Sequence, residues 1–214
     1  MPKKRQNKKT SVEKKEKPLN KKQNKIFRNV LIAFGVVILV FLIGYIVIYN
    51  MSHFTYKGVY FEVVKFCDAE PCLVLYQTKL PVITSEGIKA EYNFYLRNNP
   101  RDLEDIEFDG DINLMGNMVI DSHGDFNCNG DGIIAVANLV KLYEIIGTKV
   151  VKNQELDCSL GNEYIYLDIQ EGETTRVVQA VNSCYVLRVN NCEILPVTEK
   201  FMLETLIKVN NELL

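Results

Sequence analysis

Hydrophobic and polar positions divide the chain into three regimes. A polar, lysine-rich stretch runs to Arg28, an unbroken apolar run fills Val30–Tyr49, and mixed patterns occupy the rest. The run VLIAFGVVILVFLIGYIVIY holds no charge. As one helix rising about 1.5 Å per residue, it covers a hydrocarbon core roughly 30 Å thick with its backbone groups paired internally. No second run of that length exists, which argues against several membrane-spanning helices. The expected layout is a tail over 1–28, a transmembrane anchor over 29–50 and one domain over 51–214.

Within 51–214 the pattern changes from strands to alternating helices and strands. Gly58–Phe66 and Cys72–Tyr76 are aromatic and β-branched runs parted by a proline turn, and Ala90–Leu96 places Tyr92, Phe94 and Leu96 on one face. Asp109-Gly110 predicts a hairpin turn with a strand over Ile112–Met115. Met118–Asp121, a helix over Ile133–Ile146 closed by Gly147, and Lys149–Val151 have the order of a βαβ unit with a right-handed crossover. That helix is apolar on most sides, with Asn138, Lys141 and Glu144 as one narrow polar stripe, so it should be largely buried against the sheet. Strands follow at Tyr164–Ile169 and Tyr185–Val189, with an ambiguous stretch over Thr174–Val181. A last helix over Thr198–Leu213 aligns Met202, Leu206, Val209 and Leu213, with Pro196 and Thr198 as start signals. The fold class is therefore mixed α/β, antiparallel early and βα-type late.

Charge adds direction. Residues 1–28 hold 12 of the 25 basic and 2 of the 27 acidic residues, leaving 13 and 25 for the remainder. The near-neutral total of −2 thus conceals a +10 tail and a −12 remainder. The positive-inside rule puts the N-terminus in the cytoplasm and 51–214 outside. A cleaved secretory signal fits less well: the basic region and apolar run are both long, and Asn50–Phe54 offers no small-x-small site. The tail should be disordered and attract anionic lipid headgroups. No aromatic residue interleaves with its lysines before Phe27, so it offers no stacking platform, and no nucleic-acid partner is expected.

All six cysteines, Cys67, Cys72, Cys128, Cys158, Cys184 and Cys192, follow the anchor. An even count on the exported side points to disulfides in an oxidising compartment. Six cysteines allow 15 pairings, and sequence alone does not choose among them. Cys67 and Cys72 are placed to staple a hairpin. Cys184 and Cys192 would lie roughly 26 Å apart in one straight strand, so each should have another partner unless the chain turns. Zinc is the weaker alternative, with no CxxC and only His53 and His123 as histidines. A Cys128–His123 thiol site is also weaker than a structural disulfide.

The most suggestive segment is Asp121-Ser-His-Gly-Asp-Phe-Asn-Cys-Asn-Gly-Asp-Gly132, between a strand and a helix. Ligands of open α/β sheets gather at that end of the strands. Asp121, His123, Asp125, Asn127, Asn129 and Asp131 are the candidate ligand contacts. Asp125, Asn127, Asn129 and Gly130 match the first half of a calcium loop, but Gly132 and Val136 replace its hydrophobe and bidentate acid. The favoured alternative is a turn whose Asp, Asn and Gly residues cap the helix and adopt left-handed backbone. No metal is assigned. Arg97 and Arg101 form a basic island that would grip a carboxylate or phosphate, or else pair with Asp102, Glu104 or Asp105. No catalytic motif for a serine hydrolase, zinc protease or phosphate loop is present.

Three segments carry a family resemblance: Tyr92–Glu104, the helix opening from Cys128 through Ile134-Ala-Val-Ala-Asn-Leu139, and Cys184-Tyr with Asn191-Cys-Glu-Ile-Leu195 and Glu199-Lys-Phe201. They resemble a group of uncharacterised single-span exported proteins of small-genome archaea, over about residues 56–205. The resemblance implies an envelope-anchored domain that keeps its cysteines, with no activity attached. The expectation is a bilayer-anchored domain binding a ligand or an envelope protein, without a cofactor. The alternative is an exported hydrolase with its site in the 121–131 loop.

Overall fold

The computed structural model describes residues 21–67, 70–83, 87, 89–151, 158 and 163–213. The tail before Lys21, where disorder is expected, lies outside them. The chain divides into residues 1–48 and 49–214. Helix α1, Lys21–Ser52, carries the apolar run. It is the one helix among the described residues long and apolar enough to cross a membrane. Its large apolar side chains from Ile26 to Tyr49 are 49–75% exposed.

The second unit opens with an antiparallel meander of β1 His53–Tyr56, β2 Val59–Phe66, β3 Leu73–Ile83 and β4 Lys89–Leu96. Alternation places Phe61, Thr78, Leu80, Phe94 and Leu96 in the core. The Cys67–Cys72 disulfide closes the β2–β3 hairpin.

A six-stranded mixed sheet follows. It comprises β5 Glu107–Asp109, β6 Asn117–His123, β7 Lys149–Val151, β8 Ile165–Glu171, β9 Arg176–Val181 and β10 Cys184–Val189, in the order β5-β9-β10-β8-β6-β7. Strands β7, β6, β8 and β10 run parallel, and β9 opposes β10. Helix α2, Asp131–Ile145, joins the adjacent parallel strands β6 and β7 as a βαβ unit. Gly147 ends it at φ +89°, with Thr148 N–H on the Tyr143 carbonyl (2.8 Å) and Gly147 N–H on that of Glu144 (3.2 Å). That paired closure needs the left-handed residue glycine supplies.

Helix α3, Ile194–Leu213, packs against β2 of the first sheet and β9 and β10 of the second. This double contact explains why its first half is buried nearly all round, including Thr198, Glu199 and Lys200, with Thr205 buried just beyond it. One continuous core joins both sheets and both helices, centred on Phe61, Tyr143, Tyr185 and Phe201. Each such buried aromatic contributes on the order of 1.5–3 kcal/mol. The opposite face of the six-stranded sheet holds a smaller cluster of Val119, Tyr166 and Cys184, beside Cys158.

Four expectations are corrected. Residues 112–115 are not a strand. Ile112 enters the core, and the Tyr185 hydroxyl accepts from Asn113 N–H (2.8 Å) and donates to the Asp111 carbonyl (2.7 Å), which holds this segment as a loop. Asp109-Gly110 closes no hairpin, because β5 pairs in parallel with the distant β9. Helix α2 buries only one side, and Ile133 is 71% exposed. Helix α3 begins at Ile194, so Thr198 lies inside it, donating to the carbonyls of Ile194 and Leu195.

Candidate functional site

The parallel strands β6, β8 and β10 end together at His123, Glu171 and Val189. At this end the β6–α2 loop crosses the sheet edge. Its path follows from local backbone chemistry. Gly124 turns at φ +144°, and the Asp125 carboxylate accepts from Asn127 N–H at 3.2 Å. The Asn127 carbonyl accepts from Gly130 N–H (2.7 Å) and Gly132 N–H (3.3 Å). Asn129 and Gly130 adopt left-handed backbone, as expected of those residue types. The N-cap position of α2 is Gly130, however, so no side-chain hydrogen bond caps the helix. Position 132 must be glycine, because a Cβ there would stand 1.8 Å from the Phe126 carbonyl oxygen.

The Cys128–Cys192 disulfide ties this loop to the segment leading into α3. Cys158–Cys184 is the third pair, and no cysteine remains free. Cys184 and Cys192 thus have separate partners.

On the helix side of the sheet, a cleft of about 750 Å³ opens between this loop and α2. Phe126, Ile133, Val136, Ile169 and Ile194 supply an apolar lining, with Ser122 and Asn127 as polar members. A smaller pocket of about 160 Å³ lies under the disulfide, bordered by Asp125, Glu171 and Asn190.

The other face of the sheet is polar. Asp121 and Asp168 are register partners on β6 and β8, so their side chains share that face. His123 Nδ1 lies 3.0 Å from Asp168 Oδ1, and Gln170 Nε2 donates to the second oxygen of Asp168. The His123 side chain is 63% exposed and that of Asp168 12%. Asp121 accepts from the Tyr166 hydroxyl at 3.3 Å and from Ser122 N–H at 2.8 Å.

The three aspartates of the loop therefore have three different partners, since Asp131 receives Arg97 Nη1 at 3.4 Å. Among the described residues, no three His, Cys, Asp or Glu side chains converge as a metal-binding group. Arg97 and Arg101 take separate roles. Arg101 places its guanidinium 4.4 Å above the Phe54 ring, and neither arginine pairs with the neighbouring acids.

Two residues that the sequence reading passed over organise this region. Asp168, which orients His123, is the lone acid within the apolar run Ile165–Ile169. Glu199 is fully buried, and its oxygens accept from Arg97 N–H (2.7 Å), Asn98 N–H (2.8 Å) and Asn98 Nδ2 (2.8 Å). Burial pushes the Glu199 carboxyl above its ordinary range, against the pull of those donors and of the Arg97 charge. Its signal was present: Glu199 falls between Leu195 and Met202 on the core-facing stripe of α3.

Comparison with known proteins finds no matching family model, no matching curated protein and no matching solved structure.

Proposed function

We propose that this chain is a single-pass envelope protein whose basic tail lies in the cytoplasm and whose residues 51–214 face outward, binding a small ligand with an apolar group. The observation that carries the binding role is the cleft at the carboxyl ends of β6 and β8, with Ile133 exposed on its rim. An aliphatic side chain left in water at a cleft mouth favours occupation by an apolar group. Ser122 and Asn127 supply hydrogen-bonding partners for a polar end of the ligand. The outward placement rests on the basic excess before α1 and on three disulfides after it.

The test is a fragment screen on the full chain in lipid nanodiscs with isoleucine methyl labels. Small aromatic and aliphatic alcohols should shift Ile133, Ile169 and Ile194 together, and Val136→Asp should abolish the shifts. Shifts confined to other methyl groups, or none, would sink the reading.

A second reading is an exported hydrolase. The His123–Asp168 pair favours it, since an aspartate on Nδ1 leaves Nε2 free to take a proton. In that case His123→Ala and Asp168→Asn would each remove turnover of a screened ester or glycoside while the fold persists.

A further inference from the structure

We infer that the tip of the β2–β3 hairpin is a second membrane contact, lying against the lipid headgroup region through Phe66 and Leu73. This rests on the anchoring role proposed for α1 and extends it to the folded domain.

The register within residues 49–214 carries the inference. Strand β1 pairs with β2 from Tyr56↔Val59 to His53↔Glu62. Beyond Glu62, β2 runs four more residues with only β3 beside it, ending at the pair Phe66↔Leu73. The hairpin therefore overshoots the first residue of β1 by about 13 Å at 3.3 Å per residue. At that first residue the ring of Tyr49, the last member of the apolar run, stacks on His53 with centroids 4.3 Å apart. His53 pairs with Glu62, so alternation puts His53, Glu62, Val64, Phe66 and Leu73 on one face of the sheet.

Phe66 and Leu73 are 49% and 44% exposed, a cross-strand apolar pair presented to solvent. The adjacent Cys67–Cys72 disulfide fixes the hairpin end, so little ordering entropy is lost on docking. If Tyr49 marks the aqueous end of the anchor, the bilayer interface begins within a few residues of His53. A rigid apolar pair some 13 Å along the same face is then within reach of it. Lys65 projects from the opposite face, and Glu62 on the same face and the exposed Glu70 at the turn oppose deep, tip-first burial. The contact is accordingly shallow, made by the side of the hairpin.

The chain contains no tryptophan, so a single introduced one is a clean reporter. The full chain, as Phe66→Trp, Leu73→Trp, Phe34→Trp or Lys89→Trp, is reconstituted in vesicles of phosphatidylcholine and phosphatidylglycerol. Emission is read with and without lipids brominated at shallow or deep acyl positions. Phe34→Trp reports the anchor alone. Lys89 pairs with Ile83 at the far end of β3, ten residues from Leu73, and serves as the distant control.

The expected result is quenching of Phe66→Trp and Leu73→Trp by shallow bromines, with Lys89→Trp emission unchanged. Quenching of Phe34→Trp alone overturns the hairpin contact and leaves the anchor standing. Equal quenching of Lys89→Trp also overturns it, because adhesion would then not be specific to the tip. A blue-shifted but unquenched Phe66→Trp assigns the tip to a protein surface and overturns lipid docking. An unquenched Phe34→Trp removes the anchor and the hairpin proposal together.

Discussion

Glu199, without solvent exposure in α3, accepts the backbone N–H of Arg97 at 2.7 Å, across 102 residues of sequence. Its second oxygen takes the N–H and the side-chain amide of Asn98. The chain leaving β4 is thereby pinned to the helix that both sheets share. The Arg97 side chain then reaches Asp131 at the start of α2. One residue thus joins both helices, by its backbone to α3 and by its guanidinium to α2.

Removing the Glu199 carboxylate should be costly. Glu199→Ala strands buried donors, at about 1–3 kcal/mol for each one left unsatisfied. Glu199→Gln keeps the shape but turns an amide N–H₂ toward an N–H donor, and should also destabilise. The pH dependence has a definite sign. The folded carboxyl titrates above its ordinary value of 4.5, so over that window the folded state binds more protons than the unfolded state. The Glu199 contribution to stability is therefore fully present at lower pH and declines as pH rises through the folded pKa. Urea midpoints across pH should show this decline in the native chain relative to Glu199→Gln, and parallel curves would refute it.

The guanidinium half of the same link should matter little. Arg97 and Asp131 are 36% and 42% exposed in their side chains, and exposed pairs contribute about 0–1 kcal/mol. Asp131→Asn and Arg97→Ala should each shift unfolding by less than about 1 kcal/mol, because the backbone bond to Glu199 remains. A loss as large as that of Glu199→Ala would mean that the side chain, and not the backbone, carries the connection.

Gly132→Ala should be among the most damaging single-methyl additions. The new Cβ would meet the Phe126 carbonyl at 1.8 Å, so the loop must move. Overpacking of this kind costs about 1–3 kcal/mol. Thermal unfolding should show the loss, and methyl spectra should place the disturbance at Ile133 and Ile169. A variant with native stability would show that the β6–α2 loop can take another path.

Peptide mapping without reductant should recover the pairs 67–72, 128–192 and 158–184 from the natively isolated chain. The 128–192 bond spans 64 residues, which corresponds to about 4 kcal/mol of unfolded-state restriction. Cys128→Ser with Cys192→Ser should lose a comparable amount in urea unfolding. Six free thiols in the isolated protein would contradict an outward-facing domain.

Much of this architecture could be read along the chain because local pattern dictated it. The Val30–Tyr49 run, the β2 and β4 alternations and the α2–Gly147 junction each follow from residues adjacent in sequence. What escaped depends on distant partners. Residues 112–115 have strand-like composition, yet the Tyr185 hydroxyl and the burial of Ile112 override it. The Asp121–Asp131 loop was visible as a turn through its Asn and Gly residues. Its partners were not, because Tyr166, Asp168 and Arg97 reach it from other strands. Glu199 and Asp168 differ in kind: each is an acid in an apolar setting, a mark that sequence does carry.

The cysteine pairs nest, with 158–184 lying inside 128–192. A protease that cuts once anywhere between Cys128 and Cys192 therefore releases nothing, because the two pieces stay joined through sulfur. A cut between Cys158 and Cys184 is bridged twice. While the bonds are oxidised, α3 with its Glu199 peg cannot be shed from β6 by one nick in that stretch. Only reduction, or a cut outside the ring, separates them.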